Sequence, residues 1–159
     1  MDDVVATILR FLEEIGIAAR PSHADHRGVV PGVHVVNGAI EFNPEAMLYP
    51  GDLLHEAAHI AFTPSAERSS LSGRLDTGPG DEMAAIAWSY AAALHLGIDP
   101  AIVFHGGGYR GGSSALLENF RGGSYVGVPL LQWAGMTTEP KRGVDPSGAF
   151  PHMTKWLRD

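Results

Sequence analysis

Near the start of the chain, apolar residues recur at three- and four-residue spacing: Val4, Val5, Ile8, Leu9, Leu12 and Ile15. That period lines one face of a helix, and Gly16 stands where a helix would end, so an amphipathic first helix covering the core is expected. Residues 16–20 read as a short strand and residues 20–28 as a polar loop. Val33-His34-Val35-Val36 and Ala39-Ile40-Glu41-Phe42 are then two β-rich runs separated by Asn37-Gly38, a strong two-residue hairpin signal. A helix follows. Leu53, Leu54, Ala57, Ala58, Ile60 and Ala61 are helix formers with a buried face; Asp52 after Gly51 reads as its N-cap and Pro64 as its stop. After an irregular polar connection, residues 81–97 are apolar nearly all round. This predicts an alanine-rich helix, capped by Asp81 and ended by Gly97, buried against the preceding helix through small residues.

Beyond residue 97 the pattern loosens. Residues 100–105 read as a short helix or strand, 113–120 as a short helix, 125–133 as an apolar segment containing Pro129, and 151–158 as a terminal helical turn or two. Trp88, Tyr90 and Trp133 are expected in the core, since no basic groove accompanies them as a stacking platform would require. The order of elements predicts one α+β domain over residues 1–159, with a small antiparallel hairpin or sheet packed on two central helices.

Composition narrows the chemistry. The chain has 159 residues, 45% of them hydrophobic, which suits one domain with a sizeable core. A formal net charge of −7 argues against nucleic acid and against a membrane surface as partners. With no cysteine, disulfides, thiolate metal sites and iron–sulfur clusters are excluded, leaving histidine and carboxylate as metal ligands. The first residues are acidic where a signal peptide would be basic, and no apolar run is long enough to span a bilayer, so a cytoplasmic location is expected.

Within that frame, His55-Glu56-Ala57-Ala58-His59 stands out. Residues four apart share a helix face, so His55 and His59 can present imidazole nitrogens to one ion. Glu56 follows the first ligand directly, beside the metal rather than on it, where a general base takes a proton from water. A catalytic zinc site needs a third protein ligand. Glu82, in the first turn of the apolar helix, is the best candidate, because a buried carboxylate requires a cation or hydrogen-bond partner. Asp81 competes for the role, although its position suits capping and its side chain is shorter.

This helix, followed on a second helix by Glu82-Met83-Ala84-Ala85, resembles the gluzincin class of zinc metallopeptidases, in particular its small bacterial members, over residues 33–96. The resemblance implies a zincin-like fold, one zinc ion per chain held by His55, His59 and Glu82, Glu56 as general base and acid, and a peptide or protein substrate. Residues 98–159 carry no pattern of that class. Such sites need a donor to steady a developing oxyanion, and His105 and Tyr109, flanking a glycine-rich loop able to close over a substrate, are the candidates. The hairpin edge offers a place to hold an extended peptide by strand addition. The alternative function is a zinc-stabilised regulatory or partner-binding module without significant peptidase activity.

Other motifs are weaker. Gly106, Gly108 and Gly111 match a dinucleotide-binding glycine pattern, but no acidic residue follows at the needed distance. His105-Gly106-Gly107-Gly108 imitates an esterase oxyanion loop, but Gly122-Gly123-Ser124-Tyr125-Val126 fails as its nucleophile elbow. His23, Asp25, His26 and His34 fit no single-face metal geometry, and His95 lies on the opposite side of its helix from Glu82.

Overall fold

The first helix forms where its apolar period predicts. α1 spans Asp3–Ile15 and buries Val5, Ile8, Phe11 and Leu12, and Gly16 leaves it at φ +94°, a conformation that suits glycine. The computed structural model describes residues 3–23, 30–73, 78–108 and 111–159. Among these the chain is α+β, with five α-helices and one three-stranded sheet.

Strands β2 (Val33–Val36) and β3 (Ala39–Phe42) form the expected hairpin. Its turn takes positive φ at both Asn37 (50°) and Gly38 (76°), as a tight hairpin matching the right-handed strand twist requires. The sheet is not simply antiparallel, however. β1 (Ala19–Pro21) pairs parallel with β3, giving the order β1-β3-β2. The reason is the outer edge of β2, which is already engaged: Gly73 N donates to Val35 O at 2.9 Å and Gly38 N to Leu71 O at 2.9 Å. The remaining open edge was that of β3, reached directly from the end of α1.

Val33, Val35, Ile40 and Phe42 are buried beneath α2 (Asp52–Phe62), and α2 packs most extensively on α3 (Pro79–His95). Ala57, Ala58 and Ala61 on one helix and Ala84, Ala87 and Ala91 on the other are fully buried, so the backbones approach closely. Both expected caps are corrected. α2 is capped by Gly51 without a side-chain bond, because a Cβ there would lie 2.2 Å from Ile102 O and Asp52 is bonded elsewhere. α3 starts at Pro79 behind Gly78, so Asp81 falls inside its first turn. Proline suits that start, having a preset φ and no N–H to leave unpaired. α2 ends as Thr63 turns extended at ψ 136°, as the residue before a proline favours.

α4 (Ser113–Arg121) and α5 (Val128–Trp133) complete the helices, and α5 lies on α3. The expected terminal helix is absent: residues 151–158 run as turns and a bridge between Thr137 and Met153. Their backbone N–H groups bond across the fold, Thr154 N to Met136 O and Arg158 N to Ala61 O, each at 2.9 Å. Trp156 stands edge-on to Phe11 and Trp88, and Trp88 Nε1 donates to its carbonyl at 2.9 Å. Trp88 and Tyr90 are core as expected, but Trp133 is 70% exposed, since α5 is a single short turn and a half that turns this residue outward. Among the described residues no helix is long and apolar enough to cross a membrane.

Candidate metal centre

The one-turn spacing of α2 brings His55 and His59 together, with Nε2 atoms 3.3 Å apart. Glu82 reaches them from the first turn of α3. Its Oε1 lies 3.1 Å from His55 Nε2 and its Oε2 3.1 Å from His59 Nε2. The three side chains are the one group of histidines and carboxylates among the described residues whose ligand atoms converge on a space for a metal ion, all within 4.8 Å of one another. Asp81, the competitor, is outside the group, and His95 packs instead against Phe11 and Trp156. Asp25 and His26 lie outside the described residues, and neither His23 nor His34 joins a metal-holding group.

Pairing outweighs burial in the electrostatics of Glu82 and His55. The pairs with His55 and then His59 hold the Glu82 carboxylate far below the usual carboxylate range, although burial opposes them. For His55, burial alone would lower the pKa; the hydrogen bond to Glu82 and the charges of Glu82, Glu56 and Asp52 outweigh it and raise it. Positive charge is favoured among these groups, and the three side chains are close enough together to hold a metal ion. Glu56 is 9% exposed, and burial pushes its carboxyl up against the opposing pull of the two histidines. A carboxylate raised in this way is a stronger base than a solvated one.

His105 meets a different partner from the one expected. Its Nε2 is 2.7 Å from Asp52 Oδ1, its Nδ1 accepts from Gly107 N at 3.2 Å, and its ring stacks on Tyr49 with centroids 3.7 Å apart. Acceptance at Nδ1 puts the proton on Nε2, so the ring donates to Asp52, and both nitrogens are engaged within the chain. Donation to an oxyanion would require exchange of the Asp52 bond. Tyr109 lies outside the described residues. Sequence reasoning missed Asp52, reading it as a cap; no spacing in the chain pairs it with His105, 53 positions away.

The glycine-rich loop has no dinucleotide-binding context, since a 3-10 turn, Pro100–Ile102, precedes it in place of a strand. Comparison of the chain with protein-family models, with curated proteins and with solved structures gave no match.

Proposed function

We propose that the protein is a zinc-dependent metallopeptidase of gluzincin type with a zincin-like core. The observation that carries this reading is the convergence of His55, His59 and Glu82 from two helices, with buried Glu56 beside them. Zinc takes nitrogen and oxygen ligands at about 2.0–2.2 Å, so two ligand atoms at a tetrahedral angle stand about 3.3 Å apart. The two histidine nitrogens stand 3.3 Å apart, which suits that ion, and the Glu82 carboxylate faces both of them, with Oε1 3.1 Å from His55 and Oε2 3.1 Å from His59.

When bound, zinc supplies Lewis acidity that polarises a carbonyl and acidifies water. The chain's own residues do the rest. Glu56 accepts a proton from the attacking water and returns it to the leaving amide nitrogen, one proton in and one out. Packing of α2 on α3 keeps the three ligands fixed while that happens. Peptide or amide bonds are the substrate class.

The purified protein is expected to hold about one equivalent of zinc, and His59→Ala to lose it. Glu56→Gln should retain zinc and fold while hydrolysis of a peptide library falls by about 10²–10⁴-fold. Equal behaviour of wild type and Glu56→Gln on every peptide would favour the second reading, a zinc-stabilised partner-binding module. The outward carbonyl of Val35 is taken by Gly73, so strand addition at that point of β2 does not support either reading.

A further inference from the structure

A cavity of about 500 Å³ opens beside the metal centre, with His59, Phe62, Glu67, Leu71, Asp81 and Arg158 in its wall. Arg158 comes from the far end of the chain. Its N–H donates to Ala61 O at 2.9 Å, its Nη1 to Phe62 O at 3.2 Å, and Arg68 donates to its carbonyl. These bonds tie the last residues to the C-terminal end of α2, one turn beyond the ligand His59. The guanidinium centre sits 5.1 Å from the Phe62 ring and 4.8 Å from the ring of exposed Trp133.

Two aromatic rings thus restrain the guanidinium, and no carboxylate among the described residues pairs with it. A guanidinium carries five N–H donors, of which the Phe62 carbonyl uses only one, and a planar fork restrained in this way matches a carboxylate bidentately. Glu67 and Asp81 in the same wall oppose any negative charge, so carboxylate binding there depends on the Arg158 fork.

We propose that this cavity is a substrate subsite for a single carboxylate, bound by Arg158 close to the scissile bond. The inference rests on the peptidase reading, because His59 is both a metal ligand and part of the cavity wall. The carboxylate comes either from a peptide C-terminus or from an Asp or Glu side chain.

The test uses zinc-loaded protein and matched tetrapeptides, each as C-terminal acid and amide, and with Glu or Gln at an internal position. Cleavage is read as kcat/KM, and binding to the Glu56→Gln variant by calorimetry. One of the two acid-over-neutral ratios should be about tenfold or more, the size expected of a charge-assisted hydrogen bond. Which ratio it is identifies the source. Arg158→Met should collapse that ratio to about one, and Arg158→Lys should restore part of it, with zinc content and circular dichroism checking the fold of each. Ratios near one in wild type, or unchanged in Arg158→Met, overturn the proposal, even where melting shows that Arg158 clips the chain end in place. A carboxylate preference in calorimetry without cleavage of any peptide upholds the subsite and sinks the peptidase reading alone.

Discussion

At the scale of single residues, the first turn of α2 has to serve two neighbours. Asp52 and His105 have side chains only 13% and 12% exposed and are joined at 2.7 Å. Desolvation raises the Asp52 pKa, and the bond to His105 only partly offsets it. Removing either partner leaves the other buried without its bond, at a cost of about 1–3 kcal/mol. Asp52→Ala and His105→Ala should each lower stability by that amount in urea unfolding. The double variant should cost less than the sum, and strict additivity would mean that the two side chains are not coupled. The sequence made His55, Glu56 and His59 legible because their spacing repeats within one helical turn. Asp52 was misread because a residue at the start of a helix satisfies the capping preference equally well, and only its partner, 53 positions away, tells the two roles apart.

At the scale of elements, Glu82 reaches the histidines because α3 is held from both sides, by α2 and by α5. The second contact is close at Gly127, where an added Cβ would lie 2.1 Å from Met83 O, next to Glu82, at φ +83°. Gly123 has the same φ with nothing within 4 Å. The pair separates backbone preference from close approach. Gly123→Ala should cost about 1–2 kcal/mol, the strain of the left-handed region alone. Gly127→Ala should cost clearly more in thermal unfolding and weaken metal retention as α3 shifts. Equal losses would show that the approach of α5 to α3 is slack. The hairpin was legible from Asn37-Gly38, since a two-residue turn is decided locally. The parallel pairing of β1 was not, because it depends on which sheet edge is left open where Gly73 bonds to Val35 of β2.

At the scale of the whole molecule, the pairs of Glu82 with His55 and His59 staple α2 to α3, and the chain end closes over the end of α2. On the zinc reading, metal removal should therefore loosen the core rather than a loop. An ion present at about 100 times its Kd stabilises by about 2.7 kcal/mol, so chelation should lower Tm by roughly 5–10 °C for a domain of this size. His59→Ala should melt at the same temperature with or without chelator; a chelator effect surviving in that variant would place the ion elsewhere. Sequence alone determined the features that depend on neighbours a few residues apart: the period of α1, the hairpin turn, the paired histidines with their glutamate, and an apolar helix carrying a carboxylate in its first turn. Only the tertiary structure decided what meets across the fold: Glu82 against both histidines, Asp52 against His105, and Arg158 at the rim of the cavity beside His59. The physical reason is that local preference is written in spacing, whereas these meetings follow from how buried surfaces share one core, and no periodic pattern in the chain records that.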